Sequence, residues 1–197
     1  YVGVNPDNGN LQFLDIDGNV TENPNPDTDR RWTGENVYPD VSGSINLDFS
    51  YKGIFLDTQW NYTLGVKRLD FDYEGFIDPR NIGSFRSSRD ILNTWSPNNT
   101  NAPLPSFNAA NRGLDDFSDR FLVDSDYLRL RFVNLGYEFP PSLVDKAGLR
   151  GASIFVSAEN LLTITEWKGY DASTQNASSS RDYPNPRIIS AGIEIQL

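Results

Sequence analysis

The sequence predicts an all-β fold, in which the chain supplies the C-terminal strands of a large antiparallel transmembrane β-barrel with long extracellular loops. Three observations predict it: segments of apolar–polar alternation, connections that alternate between short and long, and an alternating strand that reaches the last residue. Alternation lets one face of a strand meet lipid while the other lines a polar lumen. Outer-membrane barrels also have short turns at one end and longer loops at the other.

The first half of the chain contains one predicted hairpin. Residues 5–40 are rich in Asn, Asp, Gly and Pro, so turns dominate there, and residues 1–4 are interpreted as the tail of an earlier strand. In 41–51 the odd-numbered residues are apolar or glycine, and in 54–64 the even-numbered residues are mostly apolar. Lys52 and Gly53 between them predict a tight turn. The two segments are therefore predicted to pair as antiparallel strands.

Three more strands are predicted after a long polar loop over 65–122. Between 126 and 139 the apolar positions are even-numbered up to Phe132 and odd-numbered from Val133, which predicts a β-bulge near Phe132. Pro140 and Pro141 end this strand, and a fourth follows over 151–162. A loop over 163–186 leads to the last strand, 187–197. With the C-terminus periplasmic, all three long loops lie outside.

The terminal strand carries a candidate signal for barrel assembly. Ser190, Gly192, Ile195 and Leu197 match a pattern of polar, glycine and two apolar positions at the end of the chain. This pattern resembles the signal that outer-membrane barrel proteins present to their assembly machinery. We predict that role for these four residues.

Composition excludes several classes of function. The 197 residues contain no Cys and no His, which excludes thiolate metal sites, His-bearing zinc sites and Ser–His or Cys–His catalysis. The net charge of -10 argues against a nucleic-acid partner. No run approaches the ~18 apolar residues of a transmembrane helix, and no signal peptide is visible. We expect no cofactor and no enzymatic activity.

Five strands are too few for a complete barrel. The smallest transmembrane barrels have about 8 strands, and an open edge leaves backbone groups unpaired in lipid. The whole chain, residues 1–197, is therefore predicted to be one part of a larger barrel. The earlier strands are expected to come from sequence not shown or from another chain.

Five ordered motifs in the last third of the chain carry a family resemblance. They are Y-L-R-L at 127–130, L-G-Y at 135–137 followed by Pro140, N-L-L-T at 160–163, K-G-Y-D at 168–171, and Y-P with P-R between 183 and 187. This arrangement resembles the C-terminal segment of the SusC/RagA family of TonB-dependent outer-membrane transporters. Leu197 departs from the family, which usually ends in Phe.

The resemblance implies a function for the whole protein. It implies a barrel of about 22 strands in the outer membrane of a Gram-negative, Bacteroidetes-type bacterium, taking up glycans or peptides. The implied partners are membrane lipid, a SusD-like surface lipoprotein that acts as a lid, and TonB. No part of the 197 residues corresponds to the plug or to the TonB-contacting segment, so both are expected in an absent N-terminal part.

Candidate substrate contacts lie in the predicted loops. Trp167, Tyr170 and Asp171 combine rings with a carboxylate, which could stack on and hydrogen-bond a sugar or peptide, and Trp95 offers another ring. The alternative is that these residues pack one loop against its neighbour or belong to an aromatic girdle.

Two other site interpretations and one other fold remain open. Asp15, Asp17 and Asn19 resemble the start of a calcium loop, but Pro26 stands where the bidentate Glu is expected, so an Asx-rich turn is favoured. Carboxylates on the polar strand faces could in principle serve glycoside hydrolysis; they are Asp48, Asp57, Glu159 and Glu194. The alternative fold is a soluble extracellular β-sandwich that binds glycans through loop aromatics.

Overall fold

The computed structural model describes residues 1–84, 86–169, 171–173 and 183–197. Ten strands and two short α-helices are assigned in these ranges. The strands are β1 (Gly3–Val4), β2 (Leu11–Leu14), β3 (Val20–Thr21), β4 (Val41–Tyr51), β5 (Ile54–Leu64), β6 (Lys67–Leu69), β7 (Leu122–Asp124), β8 (Tyr127–Glu138), β9 (Gly151–Thr165) and β10 (Ile188–Gln196). The helices are α1 (Phe71–Ile77) and α2 (Pro141–Val144).

The five long strands form one antiparallel sheet in the order β10-β9-β8-β5-β4. They are the five strands that the alternation predicts, and the hairpin bounds 41–51 and 54–64 are reproduced in full. Strands β4 and β10 each have one partner among the described residues, so the sheet is open at both edges. The structure confirms an all-β barrel fragment.

The two faces of this sheet differ in chemistry. Cross-strand rows such as Ala191–Val156–Leu135–Leu56–Phe49 run across one face, and the neighbouring row of the other face is Ser190–Ser157–Asn134–Asp57–Asp48. The apolar face is open: Leu47 is 59%, Val156 51% and Ile193 68% exposed. A sandwich would bury such a face under a second sheet. None of the other sheets described here, which have two and three short strands, is large enough to cover it.

Connections sort onto the two ends of the sheet as predicted. The end that holds Tyr51, Glu138 and Gln196 carries the short turns, and we call it the turn end. Lys52 and Gly53 have φ values of 49° and 86° there. Positive φ at both central residues is the requirement of a type I′ turn, whose twist matches that of the strands. The opposite loop end carries three connections: loop A (residues 1–40), loop B (65–126) and loop C (166–187).

A β-bulge lies where the sequence predicts one. Gln59 of β5 faces Phe132 and Trp60 faces Leu130, so Arg131 is an extra residue in β8. Phe132 thereby moves to the polar face, and the apolar positions continue from Val133. Strand β9 has a further extra residue at the same level, where Asn160 has a φ of 51°. Asn tolerates this left-handed conformation better than most residues do.

The buried apolar residues lie mainly in the loops. Among the most buried are Leu11, Phe13, Val66, Ile77, Leu104 and Phe121. Ile77, Leu104 and Phe121 form one cluster, against which Leu69 and Tyr73 pack. Loop B therefore has an apolar core of its own above the loop end. We call the described residues of loops A, B and C together the loop layer.

The loops contain secondary structure of their own. Residues 1–4, interpreted as the tail of an earlier strand, contain β1, which pairs with β2 in a three-stranded sheet separate from the five long strands. In loop B, β6 pairs with β7, and α1 begins after Asp70, whose carboxylate accepts a hydrogen bond from the Tyr73 N–H at 2.9 Å. Among the described residues no helix has both the length and the apolar character needed to cross a membrane.

Candidate functional site in the loop layer

Asp171 lies at the centre of a buried polar network that anchors loop C to β8. Its Oδ1 accepts hydrogen bonds from Arg129 Nη2 at 2.5 Å and from the Ser173 N–H at 2.9 Å. Its Oδ2 accepts from the Asn185 backbone N–H at 3.1 Å and from the Asn185 side chain at 2.9 Å. The Arg129 and Asp171 side chains are only 8% and 4% exposed. Both oxygens of this predicted substrate contact are thus used within the protein.

The network also fixes the protonation state of Asp171. Burial alone would raise the pKa of this carboxyl, but the Ser173 N–H and hydroxyl, the Arg129 guanidinium and the Asn185 N–H hold it well below its usual value. Asp171 is therefore an anion at neutral pH. Arg129 is held in turn by Thr163 Oγ1 at 2.9 Å and by Ser173 Oγ at 2.9 Å.

Trp167 is buried rather than facing solvent. It is 7% exposed, and the backbone of Gly169 separates its indole from Asp70. A Cβ atom at Gly169 would lie 2.6 Å from Trp167 Nε1 and 2.9 Å from Asp70 Oδ1, so only glycine fits this gap without displacement. Asp70 accepts a hydrogen bond from the Gly169 N–H, while burial raises the pKa of its carboxyl.

Lys168 extends this contact toward α1. Its Nζ lies 4.6 Å from the centre of the Tyr73 ring and 3.8 Å from Asp90 Oδ2. The Tyr73 hydroxyl donates to Asp90 Oδ2 at 2.8 Å. Burial and this carboxylate raise the pKa of Tyr73, so the phenol stays protonated.

Trp167 and Asp171 are both buried, and Asp171 holds loop C to β8. Tyr170 lies outside the described residues. Trp95 is partly exposed and packs over Gly9, and its indole N–H donates to the Pro6 carbonyl at 3.0 Å. Their roles in binding substrate stay predictions.

The Asp15 segment has the geometry of an Asx turn. Asp15 Oδ1 accepts the N–H groups of Asp17 at 3.0 Å and Asn19 at 2.8 Å, and Asn19 Nδ2 donates to Oδ2 at 3.0 Å. The Asn19 side chain and backbone lower the pKa of Asp15. In the part of the chain that the structure describes, no three acidic, His or Cys side chains are grouped to hold a metal ion.

The predicted assembly residues lie along β10 and just beyond it. Ser190 and Gly192 are on the polar face, opposite Ser157 and Phe155, while Ile195 is on the apolar face and Leu197 follows the strand. The Phe155 ring covers Gly192, where a Cβ atom would lie 2.5 Å from the ring. Their role in barrel assembly stays a prediction.

A cleft of about 740 Å³ beside loop A was not predicted from the sequence. Its wall includes apolar surface from Phe13, Leu69 and Leu122. Arg31 and Trp32, in the segment 30–37, also line it. Trp32 is fully exposed. The volume of the cleft falls in the range of small-ligand sites. The only sequence signal is a Trp beside two arginines in a turn-rich segment.

Two buried asparagines were also missed. Asn111 in loop B accepts from the Leu11 N–H at 3.0 Å and donates to the Leu11 and Glu22 carbonyls, each at 2.7 Å. Asn160 accepts from Arg131 Nη1 at 2.8 Å and donates to the Pro186 carbonyl at 3.0 Å. Asn160 opens the N-L-L-T motif, so that motif includes a bulge residue held by side-chain hydrogen bonds.

Comparison with known proteins relates this geometry to a family. No family model matches the chain. TonB-dependent receptor P3 of Formosa agariphila is 29% identical over 202 residues, which cover 96% of this chain and 19% of that protein. TonB-dependent receptor SusC of Bacteroides thetaiotaomicron is 21% identical over 192 residues, covering 94% of this chain and 18% of that protein.

Solved structures give the same result. The RagAB peptide transporter matches 100% of this chain and 22% of its own chain, with a TM-score of 0.78 and 25% identity. The RagAB peptide importer in the "closed-closed" state gives a TM-score of 0.79 and 26% identity over the same shares. The chain spans about a fifth of the length of the curated relatives it matches. These findings confirm the resemblance to SusC/RagA-type TonB-dependent receptors and the barrel class.

Proposed function

We propose that this chain, as a SusC/RagA-like segment, forms part of the wall and external loops of an outer-membrane importer for oligosaccharides or peptides. The segment contributes lipid-facing wall and loop surface rather than catalysis. The observation that carries the proposal is the five-stranded sheet, whose apolar face is open along its length while its opposite face is polar. A sheet with these faces is suited to stand between lipid and an aqueous lumen.

Single-cysteine labelling of the full-length receptor tests which face of the sheet meets lipid and which meets water. These 197 residues contain no Cys, so Val156→Cys and Ser157→Cys introduce one reporter on each face of β9. We expect a charged, water-soluble thiol reagent to label position 157 in the folded receptor. Position 156 should be labelled only after denaturation, because a thiol that faces lipid is shielded from the reagent and stays protonated. Equal labelling of both positions by the charged reagent would contradict the proposal.

The importer role has its own test. We propose that the intact receptor works with a SusD-like surface lipoprotein and with TonB, because TonB-dependent receptors match this chain and the RagAB peptide transporter matches its fold. Deletion of the receptor gene should abolish uptake of one substrate class, measured with labelled oligosaccharide and peptide mixtures supplied separately. Affinity purification in detergent should recover the lipoprotein. Uptake unchanged for both mixtures would refute import of these classes.

A further inference from the structure

We infer that the described residues of loops A, B and C form one cohesive body, in which residues 167–169 and Asp171 act as a latch, so that none of the three loops opens by itself. The inference goes beyond import, because it concerns which parts of the protein move. Three joints carry it: one between loops A and B, one between loops B and C, and one between loop C and the sheet.

The joint between loops A and B centres on Asn111. This side chain is 7% exposed and makes three hydrogen bonds to the backbone of loop A, to both polar groups of Leu11 and to the Glu22 carbonyl. A second contact joins the Ser106 N–H to the Gly9 carbonyl at 2.8 Å. Displacing a buried amide that pairs with backbone groups in this way breaks several hydrogen bonds at once.

The joint between loops B and C centres on Gly169. The gap between Trp167 and Asp70 is filled by glycine backbone, and Lys168 closes over the Tyr73 ring at 4.6 Å. Asp70 also caps α1, so the residue that receives loop C is the one that starts the loop B helix. Displacing loop C therefore disturbs the beginning of α1.

The joint between loop C and the sheet is the Arg129–Asp171 pair. Removing one buried charge from such a pair leaves the other charge buried without compensation. Each loop thus contacts its neighbour through buried polar groups, and loop B takes part in two of the joints. Opening one loop exposes groups that the next loop needs, which is the condition for a single cooperative unit.

Hydrogen exchange on the full-length receptor tests the inference, with Gly169→Ala as the perturbation. The added methyl group would lie 2.6 Å from Trp167 Nε1, so the latch must shift. We expect amide exchange to accelerate at least about tenfold in peptides that cover Tyr73 and Leu11, with β9 peptides unchanged. Acceleration confined to loop C would overturn the inference.

Two further variants keep the test decisive. Gly75→Ala is the matched control, because a Cβ atom there meets nothing within 4 Å. Because Ala favours a helix more than Gly does, amide exchange in this variant should equal that of the wild type or be slower in α1, and should not be faster. Asn111→Ala tests the coupling in the opposite direction, from loops A and B to loop C, and should accelerate amide exchange around Ser173. An unchanged exchange rate in the peptide that contains Ser173 would refute cooperation. If Gly169→Ala fails to give a barrel by heat-dependent gel mobility, Lys168→Ala replaces it, with the same pattern expected at smaller amplitude.

Discussion

Asp171→Asn is the substitution with the clearest expected magnitude. Asn keeps the size of the side chain but removes the charge that compensates Arg129, and its amide would face the donors of Asn185. Removing one partner of a buried ion pair costs about 3–5 kcal/mol. Taking ~3 kcal/mol as the cost in the closed loop, its opening equilibrium should rise by a factor of roughly 150.

Exchange of the Ser173 amide, which donates to Asp171 Oδ1 at 2.9 Å, measures this change directly. Glu159→Gln is the control, because the Arg131–Glu159 pair spans 3.8 Å and its side chains are 42% and 43% exposed. An exposed pair of this kind contributes less than about 1 kcal/mol. If Asp171→Asn accelerates exchange no more than Glu159→Gln does, the reasoning about the buried pair is refuted.

A pH series gives a second test of the same pair. The pKa of Asp171 in the folded loop lies below its ordinary value of about 3.9, so the unfolded loop binds the proton more readily. The stabilisation is therefore complete above that ordinary value and is lost as the pH falls below it. Exchange at Ser173, corrected for the intrinsic pH dependence of exchange, should be constant between about pH 7 and 5. A fivefold change in that range would contradict the assignment.

Three other pairs of substitutions have defined outcomes. Asp70→Asn keeps the N-cap oxygen and removes a buried carboxylate whose pKa is raised, so loop B at pH 7 should be at least as stable as in the wild type. Asp70→Ala removes the N-cap oxygen as well and should destabilise the loop by about 1 kcal/mol. Thermal unfolding of the receptor distinguishes the two variants. Val156→Arg on the apolar face should cost about 2–4 kcal/mol and lower the yield of folded barrel on gels, and Ser157→Arg on the polar face should not. Gly192→Ala should cost about 1–3 kcal/mol through contact with Phe155, and a second change, Phe155→Ala, should restore the yield if that contact is the cause.

The long strands were predictable because their alternation is local and directly visible. The bulge in β8 could be predicted too, since a single extra residue, Arg131, changes which positions are apolar. The irregularity at Asn160 could not be predicted. Relative to β5, strand β9 contains two extra residues at this level. Because two extra residues preserve the alternation of the strand, its apolar positions stay even-numbered from Ala152 to Ile164.

The loop layer was not predictable from the same signals. The apolar core of loop B joins Ile77, Leu104 and Phe121, which come from segments with no shared periodicity. The role of Asp171 depends on Arg129, which lies 42 residues earlier and follows no spacing rule. Sequence reasoning therefore found the K-G-Y-D segment but could not decide whether its side chains face substrate or hold the loops together.

The open apolar face of the sheet has a consequence for how these 197 residues behave in water. Leu47, Val156 and Ile193 would all stay in contact with solvent there. A contiguous apolar surface of this kind promotes association between copies of a chain. The excess of 27 acidic over 17 basic residues adds charge repulsion that opposes this association.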